Sequence, residues 1–579
     1  MPGRAAARHC RRRSTISIAA TEHALPADHC LPLQCIWRWE EHRAQQVFLT
    51  QPVGGRVHEY TWARAVGEAR RVAAWLQAQG YEPGSRIAIM SKNCAHWIMA
   101  DFAIWMAGYI SVPLYPTLTA ESVRQVLEHS GARAVFAGKL DAWETMLGGI
   151  PEGVLRISFP YSPPNDFPTW DQIVARTAPL PGRPTRPAPD LATIMYTSGT
   201  TGSPKGVMHS FATLGWMGDM AARSNGISAS DRMLSYLPLS HAAERSAVQM
   251  PAIRTGMPLF FGESLDTFLA DLRRARPTIF ISVPRLWVKF QQGVSSKLPE
   301  PRLRRLLRVP VLGRVLRRKV LGQLGLDSVR MAGSGAAPLP EGTMNWYRAL
   351  GLELLEGYGM TEFFGLTHMC RPGQVRVGYV GQVMEDVECR LSREGEVLVR
   401  SPGNTLGYYL DEEKTRELFT DDGYIRTGDK GAIDEQGRLR ITGRLKELFK
   451  TAKGKFVAPA PIENRLTEFA DVEACCVTGG AYQGQPCALL MLSPEARQRA
   501  ADPQARAQMG RDLAQHLEAT NARLDDHERL DFVTVVAEEW NIDNGFLTPT
   551  LKIKRNIIED IYGPRLDGWY AQRKPVVWA

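Results

Sequence analysis

Residues 196–206 read YTSGTTGSPKG. They set Gly199, Gly202 and Gly206 among five hydroxyl residues, Thr197, Ser198, Thr200, Thr201 and Ser203, with Lys205 near the end. Glycine lets backbone N–H groups approach an oxyanion with no side chain in the way; hydroxyls add donors and lysine adds a movable positive charge. The composition suits a phosphate cradle. A Walker loop needs Gly-Lys followed by Ser or Thr. The Gly-Lys pairs here, at 138–139 and 454–455, are followed by Leu140 and Phe456, so P-loop NTPase chemistry is not supported.

The loop must be held by what flanks it. LATIMY (191–196) reads as an apolar strand, so the loop leaves a strand end. Upstream, TWARAVGEARRVAAWLQAQG (61–80) is an amphipathic helix stopped by Gly80, and RIAIMS (86–91) is a buried strand. ESVRQVLEHSG followed by RAVFAG (121–138) repeats that order. Helix–strand alternation predicts an α/β architecture with largely parallel sheets. TIFISV (278–283), GEVLVRSPG (395–403) and GRLRITGR (437–444) are further strand-like runs, and Pro-rich 159–190 is a surface connection. From about 444, VEACCVTGG, a helical stretch near 506–524 and the strand LDFVTVV suggest a separate small α+β domain. The expected division is a basic, disordered extension over 1–35, a large domain over 36–443 and a small domain over 444–579.

A chain of 579 residues is too long for one ordinary core. Its formal charge of +9 suits polyanionic partners, and with no nucleic-acid signature these are small phosphorylated ligands or a membrane. Nine scattered cysteines without CxxC spacing argue against a zinc site or disulfide framework and for a reducing, cytoplasmic setting. WIMADFAIWMAGYISVPLYP (97–116) is broken by Asp101 and two prolines, which suits a buried helix running into a strand better than a membrane span. Residues 1–20 are basic and free of acids, which fits either a disordered extension or an organelle-targeting peptide.

YTSGTTGSPKGVMHS resembles the AMP-binding signature of the adenylate-forming superfamily. LPLSHAAER (237–245), GSGAAPLP (333–340), GYGMTE (357–362), YIRTGD (424–429), GRLKELFKTAKGKFVAP (443–459) and TPTLKIKR (548–555) resemble its other motifs, in the expected order. The resemblance covers roughly residues 36–565. It implies a large adenylate-forming domain of layered sheets and helices, with a small mobile α+β C-terminal domain. The implied reaction has two steps: a carboxylate attacks the α-phosphate of ATP and releases pyrophosphate, then the thiol of coenzyme A displaces AMP. Such a site must join two anions, which calls for positioned cations and N–H donors.

The resemblance also implies roles. Thr197, Ser198, Gly199, Thr200, Thr201, Gly202 and Lys205 hold the β- and γ-phosphates. Tyr358 stacks on adenine, with Gly333, Ser334, Gly335 and Ala336 along its edge. Thr361 bonds the α-phosphate, and Glu362 holds Mg²⁺. Asp429 and Arg444 take the ribose, and His241 stands near the substrate carboxylate. Lys446 is the hinge. Lys552 is the catalytic lysine by the pattern K-[IL]-x-R, but the glycine expected before it is Leu551 here, so Lys554 stays open as the alternative.

The C-terminal TPTLKIKRNIIEDIY is most like long-chain fatty acyl-CoA synthetases, which makes a fatty acid the expected substrate. Medium-chain or aryl acids, transfer to a carrier protein, and a binding-only homologue are the alternatives. PRLRRLLRVPVLGRVLRRKVLGQLGL (301–326) mixes basic and aliphatic residues without an acid, and reads as one or two amphipathic helices broken at Pro310. It fits peripheral contact with an anionic membrane, a solvated basic face, or a patch for the phosphates of coenzyme A.

Overall fold

The computed structural model describes residues 27, 30–197, 204–452, 454–479, 485–548 and 551–579. The alternating segments build a seven-stranded sheet. Its order is Gly407–Tyr408, Lys205–Ser210, Leu191–Thr197, Ile110–Leu114, Arg86–Met90, Ala132–Ala137, Leu155–Ser158. The last five are parallel, and the two nearest the phosphate loop are antiparallel to their neighbours. Both faces are covered, which is why these strands read as unbroken apolar runs. Ile87 and Ile89 enter one core with helices Trp62–Ala78 and Ala95–Met106. Ala88 and Met90 enter another with helix Ala120–Ser130. The predicted helix over 61–80 is capped by Thr61, whose hydroxyl accepts from Arg64 N–H, and ends before Gly80 at φ +72°.

A five-stranded sheet follows: Ile279–Ser282, Met331–Ser334, Leu354–Met360, Gly365–Met369, Gln382–Val383. A wholly antiparallel sheet runs Glu388–Leu391, Glu396–Arg400, Ile425–Ile433, Leu439–Arg444. The C-terminal part has its own four-stranded sheet, Val472–Thr478, Cys487–Leu492, Val533–Val535, Val576–Trp578, with helices Pro459–Leu466 and Pro503–Asn521 packed on one core. This is the expected mixed α/β fold with an α+β C-terminal unit.

Ordered structure starts earlier than the extension drawn over 1–35. Helix Pro32–His42 buries Leu33, Cys35, Ile36 and Trp37, so the end of that segment belongs to the core. Residues 1–26 lie outside the described residues.

The run at 97–116 is a helix, Ala95–Met106, followed by strand Ile110–Leu114, and every side chain of that helix is buried. Asp101 is tolerated there because Arg245 meets it at 2.6 Å, with both side chains fully buried. Gln249 donates to the same oxygen, and Arg245 also donates to Gln249 and Thr193. A buried charge is bearable only when so thoroughly bonded. Among the described residues no helix is long and apolar enough to cross a membrane.

Candidate active site

Strands Leu191–Thr197 and Lys205–Ser210 pair antiparallel with Thr197 opposite Lys205, so the phosphate loop spans adjacent strand ends. Ser198, Gly199, Thr200, Thr201 and Gly202 lie outside the described residues. Lys205 flanks an open cavity of about 640 Å³ that is also lined by Tyr408 and Lys414. Its Nζ lies 5.3 Å from the ring centre of Tyr408, and the Tyr408 hydroxyl donates to Glu362 Oε1 at 2.9 Å. One tyrosine thus links the first signature to the second.

Thr361 and Glu362 sit on a 3-10 turn, Thr361–Phe363, just after strand Leu354–Met360. Two remote groups pin that turn. His209 Nε2 donates to Thr361 C=O at 2.8 Å, and Thr405 N–H donates to Glu362 C=O at 2.8 Å. Burial pulls the His209 pKa down to about 3, so its ring stays a neutral donor. The approach to the turn needs glycine, because a Cβ on Gly359 would overlap the carbonyl oxygen of Gly365. Sequence reasoning missed Tyr408 and Thr405, which carry no pattern. His209 could have been singled out, since it falls inside the quoted first signature.

The nucleoside end is as closely built. Tyr358 donates its hydroxyl to Asp429 Oδ2 at 2.6 Å, and Arg444 Nε donates to Oδ1 at 2.9 Å. Gly333–Ala336 continue from strand Met331–Ser334 toward Tyr358. Gly335 runs so near Gly357 that an added Cβ would stand 3.4 Å from its carbonyl oxygen. Ala336 takes φ +68°, a strained conformation for a non-glycine residue, at the expected adenine contact. Ser334 Oγ is buried without a partner among the described residues. Glu356, also missed, ties the two expected adenine segments together by accepting from Leu339 N–H at 2.9 Å, and burial raises its pKa to about 7.

In LPLSHAAER, three polar side chains, His241, Glu244 and Arg245, divide the labour. His241 Nδ1 accepts from Ala243 N–H at 3.1 Å, so the neutral ring keeps its proton on Nε2. Burial lowers the His241 pKa to about 4, and the charge of Lys552 adds to this. Glu244 is buried and accepts from the Ser235 hydroxyl at 2.7 Å and Tyr236 N–H at 3.1 Å; burial lifts it to about 8. Arg245 serves the buried pair with Asp101.

Lys552 comes from the C-terminal unit yet faces this cleft. Lys552 is exposed as a residue, but partial desolvation lowers its pKa, and the Arg444 charge lowers it further. Asp429, Glu447 and Glu362 pull the other way. Lys554 is the N-cap of helix Arg555–Tyr562, and its N–H donates to Phe546 C=O. Lys446 is exposed on the short turn Leu445–Glu447, directly after strand Leu439–Arg444. Arg285 and Glu473 pair at 2.5 Å across the two parts of the chain.

Behind the GYGMTE strand lies a narrow apolar cavity with about 20 Å³ of remaining space. Five methionines line it, Met217, Met220, Met331, Met369 and Met384, together with Ile281, Ala247 and Leu366. No charged side chain reaches it, and its polar lining is Asn225 and Ser246. Among the described residues no group of three or more His, Cys, Asp or Glu could hold a metal alone. Tyr408 donates to Oε1 of Glu362, which leaves the other acceptor sites of that carboxylate open.

The AMP-binding enzyme model matches residues 36–409, and the model of the AMP-binding enzyme C-terminal domain matches residues 447–574. The chain belongs to the AMP-binding enzyme family. It is 31% identical to long-chain-fatty-acid–CoA ligase FadD15 of Mycobacterium bovis, over 92% of this chain and 96% of that protein. It is also 31% identical to the peroxisomal long chain acyl-CoA synthetase 7 of Arabidopsis thaliana, over 90% of this chain and 83% of the relative. The anthranilate CoA ligase AuaEII, solved with anthranoyl-AMP, shares the fold of this AMP-binding enzyme. Its TM-score is 0.75 at 22% identity, covering 94% of this chain and 99% of that one. The A domain of carboxylic acid reductase from Segniliparus rugosus, solved with AMP and a carboxylic acid, gives a TM-score of 0.76 at 23% identity, covering 95% and 96%.

Proposed function

We propose that this AMP-binding enzyme converts a long-chain fatty acid to its coenzyme A thioester. The methionine-lined cavity against strands Ile279–Ser282 and Gly365–Met369 carries the reading. An uncharged wall suits an alkyl chain, and flexible thioether side chains can turn aside to admit one where little space remains. The carboxylate head then meets the α-phosphate beside Thr361 and Lys552. Its oxygen attacks phosphorus, the bond to pyrophosphate breaks, and the thiol of coenzyme A next displaces AMP from the acyl carbon.

Each side chain has a task. Lys205 and the loop over 197–202 hold the departing pyrophosphate. Tyr358 and Gly333–Ala336 take adenine, and Asp429 with Arg444 takes the ribose. Thr361 and Lys552 offset the negative charge gathering at the α-phosphate, while His241 orients the carboxylate. Mg²⁺ held through Glu362 supplies charge neutralisation for the phosphates. Lys446 is the pivot on which the C-terminal unit exchanges its lysine face for a coenzyme A face, since a few residues at a boundary can absorb such a rotation. The setting is the cytoplasm, at a membrane surface; the basic stretch 1–20, a candidate organelle address, lies outside the described residues.

The test is a carboxylate panel of acetate, octanoate, palmitate and benzoate, read by ATP–pyrophosphate exchange and by coenzyme A-dependent AMP release. Palmitate should lead in both. A lead for octanoate or benzoate moves the substrate to the medium-chain or aryl class. Exchange without thioester assigns the acyl group to a carrier protein, and neither signal leaves a binding-only homologue.

A further inference from the structure

Helices Glu300–Leu307 and Pro310–Gln323 form a hairpin whose inner side is fixed. Leu303, Leu307 and Val320 are buried in the core that backs strand Ile279–Ser282. Gly313 crosses the first helix so closely that a Cβ would press on the backbone of Leu307. The cavity for the alkyl chain lies on the other face of the same sheet, since Ile279 and Ile281 line it while Phe280 enters the hairpin's core.

The outer side is unlike the rest of the surface. Val309, Val311, Leu312 and Val315 are 48%, 77%, 47% and 60% exposed. Thirteen large hydrophobic side chains are exposed among the described residues, and four of them fall within these seven positions. Single exposed aliphatics need no explanation; a cluster does. Eight basic residues between Arg302 and Lys319 surround it, against the single acid Glu300. Among the described residues, ion pairing of the eight is limited to Arg304 with Glu300. On the second helix Val311, Leu312 and Val315 share a face with Arg318 and Lys319 at three- and four-residue spacing. Folding therefore leaves uncovered an apolar tip ringed by cations, seven of the eight without an ion pair among the described residues.

We propose that this hairpin is a docking surface for an anionic lipid bilayer. The aliphatic tip enters the headgroup–acyl boundary while the arginines and Lys319 meet lipid phosphates. Both terms are those that hold an amphipathic helix in the plane of a membrane. Charge complementarity selects an anionic surface, and the aliphatic tip selects lipid over a nucleic acid, whose backbone offers it nothing. The inference is carried by the surface and is independent of which carboxylate the enzyme activates.

The test uses the full chain with phosphatidylcholine vesicles, with and without phosphatidylglycerol. Sedimentation should bring the protein down with anionic vesicles, less so at high salt. Combining R314E, R318E and K319E should weaken that binding about tenfold or more, since each cation near such a surface contributes. None of these residues lies in the catalytic machinery, so ATP–pyrophosphate exchange with a soluble acid should persist and reports intact folding. In a separate variant, Val315→Trp, indole emission should shift to shorter wavelength on anionic vesicles. Equal binding to neutral vesicles, unchanged binding after charge reversal, or no emission shift would each overturn the proposal. So would a hairpin variant that alters oligomeric state but not vesicle binding, because the patch would then belong to a second copy.

Discussion

Asp429 and Arg444 are direct partners across two antiparallel strands, and Arg444 Nε donates to Asp429 Oδ1 at 2.9 Å. Tyr358 donates to the other oxygen, so the carboxylate is oriented from two sides. An ionised carboxylate has about four acceptor sites, which leaves two for a diol such as ribose. Asp429→Asn should raise KM for ATP by roughly tenfold to a hundredfold, the worth of one or two charge-assisted hydrogen bonds. Tyr358→Phe should cost only about fivefold through the lost hydroxyl, with stacking kept. Exchange kinetics at varied ATP decide this, and an unchanged KM in Asp429→Asn would remove the carboxylate from the nucleotide site.

Lys552 approaches Glu362 and Asp429 from the C-terminal unit, whereas Lys554 caps a helix. Lys552→Ala should lower the adenylation rate by about two to three orders of magnitude, the usual loss for one group that stabilises transition-state charge. On the proposed rotation about Lys446, thioester formation from supplied acyl-AMP should survive, since another face of the unit would serve that step. Lys554→Ala should spare both. Equal loss of both half-reactions in Lys552→Ala would contradict separate faces.

Local pattern explains what was legible. The strands at 86–91 and 191–196 are recognisable because both faces of a parallel sheet demand apolar residues, and the signatures fall on the turns after such strands. Tyr408 and Thr405 escape that logic: each acts on the turn at 361–362 from more than forty residues away, and nothing in its own neighbourhood marks it. His209 lies inside the first signature, but its contact with Thr361 is 152 residues distant and is not marked there. Asp101 looked like a flaw in an apolar helix until Arg245, itself hidden in a motif read for His241, supplied its partner.

Glu244 makes a pH-dependent contribution of known sign. Burial raises its pKa from 4.5 to about 8. Between those values the native chain keeps a proton that the unfolded chain releases. The stabilisation is therefore complete below 4.5 and is lost as pH rises through about 8. Glu244→Gln cannot ionise. Relative to wild type it should gain on the order of 1 kcal/mol per pH unit across this window, and nothing further above it. Urea midpoints of both proteins at several pH values give the comparison. A difference independent of pH would mean that Glu244 is already ionised in the fold.

Ala247 lines the methionine cavity beside Ser246 and shares with Ala221 the smallest side chain there. Ala247→Phe should fill the path of a long alkyl chain. Palmitate-dependent exchange should fall by about tenfold to a hundredfold, while acetate or butyrate is spared, since each methylene denied burial costs about 0.8 kcal/mol. Thermal unfolding should stay within a few degrees of wild type if the ring occupies the cavity rather than the core. An equal loss across all chain lengths would mean that the cavity does not hold the alkyl chain.

Leu551 stands where the family pattern has glycine, and its backbone takes φ +60°, the left-handed region that glycine enters without strain. The turn is closed by Leu551 N–H to Thr548 C=O and by Thr548 N–H to Lys552 C=O, both at 2.8 Å, so the strained residue sets the direction of Lys552. The leucine side chain is 57% exposed and gains little by packing. Leu551→Gly should remove about 1–2 kcal/mol of left-handed strain. It should return about 0.4–1 kcal/mol through the freer unfolded chain. The net is a stabilisation between about 0 and about 1.6 kcal/mol, with adenylation intact. Leu551→Val, β-branched in the same conformation, should destabilise the turn and slow adenylation without touching thioester formation from acyl-AMP. Denaturant midpoints and the two half-reaction rates for this pair of variants provide the check, and a valine variant as active as wild type would show that the turn does not aim the lysine.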